Sequence, residues 1–494
     1  MYKFYFYKII LFVFISINSG NSKENIQNDP IAEIKVNPEQ TSNTIPENFM
    51  GISIDYESIP YFTGNAETGI NQIFVRLLSN MGIYGNGAGV LRISKGADIS
   101  WWNPSGLKKP KGIYYDITYD WITAMTEIAR QSGVKFILGT NFSMHDVKLS
   151  KDWMFASGKL FPKNSIIAYE VGESPDLYSK NYYTLQNNNI ISLKSNDWNF
   201  EKYNIEYSNF LIALKNLIQT KSEIAAPGFS EEEWLNNLKE FIQKNKESIQ
   251  IISQKYYYFN KPFNIKELLS ETKIRFEIEK ISEFVKFAKE SNLKYRLTEF
   301  NLSEKEYSKL NNSFYTSLWM TDILFEFFNA GISGINIHNK KFDRINLFNF
   351  FWKDNKTVAN INPAQYGLVL FSEATQNRAK LIKSEIETKI NLKCWSTIDS
   401  LGYIRIVIIN KDEISGGFVN LKVSGLQLPG ELTRLNTDLY NDSIGVRLSG
   451  KTYDATNDGI LTGTYNYESI TPFNETYIFE IPKLSALMLT IKPE

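Results

Sequence analysis

The chain has 494 residues, with 54 basic and 54 acidic side chains and a formal charge of zero, so it lacks the basic surplus normal for a nucleic-acid-binding protein. A hydrophobic fraction of 43% can fill the core of a large domain plus a smaller module. The single cysteine, Cys394, excludes an intramolecular disulfide, and the two histidines, His145 and His338, stand at no metal-ligand or triad spacing.

Carboxylates are therefore the main acid–base resource, and neither a metal nor a cofactor is expected. The aromatic fraction, 14%, is high; it suits packing and also the clefts that bind sugars. At the N-terminus, Lys3 and Lys8 accompany the apolar run Ile9–Ile17, and Ser19, Gly20 and Ser22 follow. Residues 1–22 thus read as a signal peptide, with a secreted, extracellular or periplasmic destination. The run is too short for the roughly twenty residues that span a bilayer, although Tyr2 to Ile17 is apolar enough to leave an uncleaved anchor as the alternative. In residues 23–47, Ala32–Val36 is strand-like and available to pair with a C-terminal β-domain.

From 48 to 377, short apolar runs alternate with helical patterns. The predicted strands are Phe49–Asp55, Val90–Ser94, Lys135–Asn141, Ile166–Val171, Glu223–Ala226, Ile249–Tyr258, Lys294–Glu299 and Gly334–His338. They have the continuous apolar character of strands buried on both faces. Helical spacing recurs between them, in Ile73, Leu77, Leu78 and Met81, then Ile117, Trp121, Ala124 and Ile128, then Phe210, Ile212, Leu214 and Leu217. Phe284, Phe287 and Ala288 mark the helix before the seventh strand, and Phe314–Phe328 is the apolar helix before the eighth. Gly133, Asn292 and Gly331 stand where helices should stop. Eight such units predict a (β/α)8 TIM barrel. The rival is an open doubly wound sheet, which the absence of a G-x-G-x-x-G after the first strand disfavours. Beyond Asn377 the period changes: Ile404–Ile409, Gly417–Val423, Thr476–Ile481 and Ala486–Ile491, separated by turn-rich pieces, predict an antiparallel β-sandwich over residues 378–494.

Barrel active sites lie at the C-terminal ends of the strands. The seventh strand ends Leu297-Thr298-Glu299-Phe300-Asn301, and the fourth ends Glu170-Val171-Gly172-Glu173-Ser174-Pro175-Asp176. Carboxylates from these opposed parts of the wall can face each other, as in retaining glycosidases, whose nucleophile and acid/base stand about 5–5.5 Å apart.

These motifs resemble glycoside hydrolase family 79, which holds β-glucuronidases and heparanase-like enzymes. Gly51-Ile-Ser-Ile-Asp-Tyr56 is similar to its first barrel strand, Val90-Leu-Arg-Ile93 with Trp101-Trp102 to its second, and Ile137-Leu-Gly-Thr-Asn141 to its third. Arg296-Leu-Thr-Glu-Phe-Asn301 resembles the nucleophile strand, Leu318-Trp319 with Asp322 the helix after it, and Ile408-Ile-Asn-Lys-Asp412 the C-terminal β-domain. The resemblance implies a retaining β-glycosidase acting on a glucuronide or uronate-containing glycan, with Glu299 as nucleophile. It implies a substrate-lining role for Asp98; Asn141, Tyr257 and His338 are further sugar-site candidates at strand ends.

The chain also departs from the family. Family 79 has Gly-Asn-Glu-Pro-Asp on its fourth strand, with the glutamate as acid/base, where this chain has Gly172-Glu173-Ser174-Pro175-Asp176. An ungapped match puts Ser174 at the acid position; a slip of one residue makes Glu173 the acid/base. Serine is no general acid. The sixth strand reads Gln254-Lys255-Tyr256-Tyr257 where the family has a histidine before paired tyrosines, and Ser94-Lys95 replaces a Gly-Gly pair. Lys95 and Lys255 are candidate partners for a uronate. The alternative reading is a carbohydrate-binding pseudoenzyme that has lost its acid/base.

Overall fold

The computed structural model describes residues 29–493 apart from 66–68, 181, 186–187, 218–220, 304–308, 342–344 and 355, so the expected signal peptide lies outside the described residues. Eight parallel strands close a barrel: β1 (Gly51–Ile54), β2 (Val90–Ile93), β3 (Lys135–Thr140), β4 (Ile166–Val171), β5 (Glu223–Phe229), β6 (Ile251–Phe259), β7 (Lys294–Ser303) and β8 (Gly334–Asn339). They follow one another round the wall in chain order, and β8 pairs with β1, Ile337 opposite Ile52, which rules out the open sheet. Each is followed by a main helix: α1 (Gln72–Gly82), α2 (Tyr119–Ser132), α3 (Val147–Leu160), α4 (Phe200–Leu217), α5 (Leu238–Asn245), α6 (Glu271–Glu290), α7 (Tyr315–Ala330) and α8 (Ala364–Ala374).

The helix ends follow the sequence signals. Thr118 caps α2 by accepting from the Trp121 N–H, and Gly133 ends that helix in the left-handed conformation that costs glycine least. Gly331 ends α7 in the same way. The expected apolar face of α4 needs correction. Ile212 and Leu217 are 58% and 51% exposed, while Tyr203, Tyr207, Phe210, Leu211 and Leu214 are buried. Those five positions hold the spacing of three and four that one helical face requires; Ile212 falls off it, and Leu217, though at that spacing from Leu214, is the last residue of the helix.

The barrel interior is layered. Val90, Ile137, Ala168, Ala225 and Ile251 form an apolar plug towards the strand starts. Above it the inward positions turn polar, which prepares the mouth for chemistry.

The second domain is a ten-stranded, mainly antiparallel sheet that builds the β-sandwich-type module. It contains the four strands read from the sequence, together with Lys380–Thr388, Leu392–Ile398, Gly430–Asn436 and two shorter ones. The early strand Ala32–Thr44 lies inside this sheet, antiparallel to Lys380–Thr388 and parallel to Gly417–Val423. Helix α7 is buried along Tyr315–Phe328, on every side, because it lies between the barrel wall, α8 and this domain. At that junction Lys411 pairs with Asp322 at 2.6 Å and Glu271 at 3.0 Å, Trp395 donates its indole N–H to Asp322, and the Trp395 ring stacks on Phe325.

Candidate active site

Glu299 owes its position to a bulge. On β6 and β7, Gln254 faces Leu297 and Lys255 faces Glu299, so Thr298 is an extra residue; the β7–β8 register skips at the same place. Strict alternation would send Thr298 and Glu299 to opposite faces. The bulge turns both inwards: the Thr298 hydroxyl donates to Glu170 at 2.9 Å, and Glu299, fully buried, points its carboxylate into the barrel.

Four groups reach that carboxylate. Arg92 of β2 donates from Nη1 to Glu299 Oε2 at 2.6 Å. The Tyr257 hydroxyl donates to Oε1 at 2.5 Å. Lys255 Nζ stands 3.3 Å from Oε2, and Lys95 Nζ 3.8 Å from Oε1. Burial pushes the carboxyl's pKa up, but the surrounding positive charge, led by Lys255, outweighs it and holds Glu299 well below the usual carboxylate range. Glu299 is therefore an ionised carboxylate at neutral pH. Arg92 is itself fixed from below: Nε and Nη2 fork onto Glu170 Oε2 at 2.9 and 2.7 Å, and Nη1 also reaches Ser53 at 3.0 Å.

The fourth strand's end delivers Glu173. Gly172 takes φ 75° and Ser174 φ 50°, so the chain reverses at once and the side chain is re-aimed. Glu173 is buried, and its Oε1 meets Lys255 Nζ in a close ion pair. The Ser174 hydroxyl donates to the same oxygen at 3.0 Å and shares a hydrogen bond with Ser230. One ammonium thus bridges Glu173 and Glu299, and the serine at the ungapped family position lies beside the carboxylate.

Asp98 and Asn141, expected at the sugar, are spent on architecture. Asp98 Oδ1 accepts from the backbone N–H groups of Phe142 and Ser143, and Oδ2 accepts from Glu173 N–H and the Tyr178 hydroxyl at 2.8 and 2.6 Å. It therefore fixes the backbone from which Glu173 projects. Burial pushes its pKa up to about 6 against those four donors. Asn141 donates to the Asp98 carbonyl and accepts from Met144 N–H, closing the β3 loop. Asp176 likewise accepts from Ser230 and Glu231 N–H groups.

His338 lies one residue from the end of β8, beside Asp55, with Nε2 3.5 Å from Asp55 Oδ1. Among the described residues neither ring nitrogen has a hydrogen-bond partner, and Asp55 Oδ1 has none either. Burial holds the imidazole down to about 3 and lifts Asp55 to about 6, so the histidine is neutral. His145 lies elsewhere, half exposed and 3.2 Å from Glu206.

The sequence motifs assign no role to Arg92, and Glu170 stands in them only as one of the carboxylates of the fourth strand's end. The available signal was a charge in the middle of an otherwise apolar strand, Val-Leu-Arg-Ile and Ile-Ile-Ala-Tyr-Glu-Val. Such a charge faces the barrel interior and needs a partner there.

No protein-family model matches the chain, and no curated protein matches it significantly in sequence. Solved structures do. A 4-O-α-L-rhamnosyl-β-D-glucuronidase from Fusarium oxysporum, in complex with Rha-GlcA, aligns with TM-score 0.75 and 14% identity over 92% of this chain and 100% of its own. A family 51 arabinofuranosidase from Xanthomonas axonopodis pv. citri aligns with TM-score 0.68 and 13% identity over 94% and 100%. The α-L-arabinofuranosidase of Thermotoga maritima, in complex with arabinose, gives TM-score 0.66 and 14% identity over 94% and 100%. The chain thus shares, along nearly all its length, a barrel-plus-β-domain fold found in glycoside hydrolases.

Proposed function

We propose that this chain is an exported retaining β-glycosidase acting on β-linked glucuronides or uronate-containing glycans. One observation carries the reading. Glu299 and Glu173, from opposed strand ends, both touch the Lys255 ammonium. A shared ammonium partner holds the two carboxylates closer than the roughly 6.5–9.5 Å that an inverting enzyme needs for its water, which favours the retaining class. Glu299, held ionised, attacks the anomeric carbon; the C–O bond to the leaving group breaks, and Glu173, which takes up a proton from solvent when bound substrate displaces Lys255 from it, passes that proton to the leaving oxygen. Glu173 then takes a proton from water, which displaces Glu299 and releases the sugar. Arg92 and Tyr257 orient the nucleophile. Lys95 and Lys255 offer positive charge to a uronate, and Asp55 and His338 offer unfilled hydrogen-bonding atoms to sugar hydroxyls. The fold likeness to glycosidases, one named a glucuronidase, agrees with this reading.

A second reading, a carbohydrate-binding protein without turnover, is favoured by Lys255, which fills the gap between the carboxylates where the glycosidic bond would lie. The two are separated by assaying the mature chain on an activated aryl β-glucuronide and on a natural uronide, with Glu299→Gln, Glu173→Gln and Ser174→Glu alongside. The enzyme reading expects turnover that Glu299→Gln abolishes. It also expects Glu173→Gln to cost about 10²–10⁴-fold on the natural uronide and less on the aryl substrate, which needs little protonation. Silence in the parent with activity gained in Ser174→Glu supports the binding protein. A robust activity indifferent to Glu299→Gln removes the proposal.

A further inference from the structure

A cavity of about 1410 Å³ opens at the end of the barrel away from the site just described. Its walls are the strand starts, from Asn48 before β1 to Ser333 before β8, and the C-terminal half of α3 with the loop after it. Six cationic side chains line it, Lys151, Lys159, Lys163, Lys221, Lys294 and Arg296, against two carboxylates, Glu47 and Glu223. Lys294 pairs with Glu223 at 2.7 Å. The others have no carboxylate partner among the described residues.

Arg296 is the unusual member. It is 4% exposed, yet among the described residues its hydrogen bonds go only to neutral oxygens: Asn336 Oδ1 at 2.8 Å, the Asn48 carbonyl at 3.0 Å and the Ile335 carbonyl at 3.4 Å. A guanidinium has five N–H donors, so two remain. The fold makes room for it: a Cβ at Gly334 would stand 1.9 Å from Arg296 Nη1. Burying a cation without a counter-charge is costly, and its desolvation lowers the guanidinium's pKa to about 9. An anion in the cavity would offset that cost, and the lysine rim would draw it in.

We propose that the N-terminal end of the barrel is an anion-binding site, centred on Arg296, for a sulfate or phosphate group that is free or borne on a sugar. The site is separate from the Glu299 cleft and does not depend on its being catalytic. A planar fork backed by mobile ammonium groups suits a tetrahedral dianion.

The test titrates the full chain with sodium sulfate, sodium phosphate or a sulfated disaccharide, each balanced with chloride to constant ionic strength. Thermal midpoint and calorimetric binding are read. Arg296→Met risks misfolding, so the exposed double variant Lys163→Glu/Lys221→Glu is the main comparison, with the same arms repeated on Arg296→Met where it folds. The expected result is a saturable rise in midpoint that chloride does not reproduce, with affinity at least about tenfold weaker in the double variant. A response to sulfate or phosphate alone assigns a free ion; a response to the sulfated disaccharide only assigns a sugar-borne group. The proposal is overturned if no arm exceeds the chloride control, or if parent and double variant respond alike.

Discussion

Replacing Arg92 by methionine keeps the aliphatic stem and removes the guanidinium that ties three strands together. Arg92, Glu170 and Glu299 are all fully buried, so no solvent screening discounts the pairs. After the change Glu299 keeps Lys255, Lys95 and Tyr257, but among the described residues Glu170 keeps only the Thr298 hydroxyl. The stranded charge is therefore Glu170, and breaking a buried pair in this way costs about 3–5 kcal/mol. Adding Glu170→Gln to Arg92→Met should recover much of the loss, because it removes the charge. Urea unfolding of the parent, the single and the double variant measures this. A loss under about 1 kcal/mol, or a double variant worse than the single, would refute the reasoning.

Three further outcomes are expected. Lys411→Met strands the buried Asp322 at the domain junction and should cost about 3–5 kcal/mol, seen in calorimetry as an earlier transition or as separate melting of the two domains. Gly172→Ala puts a Cβ 3.1 Å from Phe142 at φ 75°, which should lower stability by about 1–3 kcal/mol and displace Glu173, reducing kcat more than it changes KM. Tyr257→Phe removes the hydroxyl that holds Glu299 Oε1, and should lower kcat/KM by about 10–100-fold with an unchanged urea midpoint.

The barrel was legible because strands buried on both faces have no polar alternation to obscure them, and eight short apolar runs separated by capped helices leave few topologies. Lys380–Thr388 was harder to see: its residues alternate between buried or half-buried and exposed, with lysines and glutamates on the outer side. At the site, the strand-end rule placed Glu299 and Glu173 at the mouth, but three features lay beyond it. The bulge at Thr298 is one extra residue whose only trace is a register skip between strands. The re-aiming of Glu173 depends on a departure to positive φ on each side of it, at Gly172 and Ser174, and nothing in Gly-Glu-Ser-Pro dictates the second. Asp98 looked available because a carboxylate in a loop shows no sign of the four donors that converge on it once three loops fold together.

The central claim is that Glu299 forms a bond to the anomeric carbon, and trapping that bond tests it most directly. Incubation with a 2-deoxy-2-fluoro β-glucuronide bearing an activated leaving group, followed by proteolysis and mass spectrometry, should show one sugar on the peptide containing Glu299 in the parent and none in Glu299→Gln. Turnover of aryl β-glucuronides with the sugar found on another residue, or with no adduct formed at all, would contradict the account.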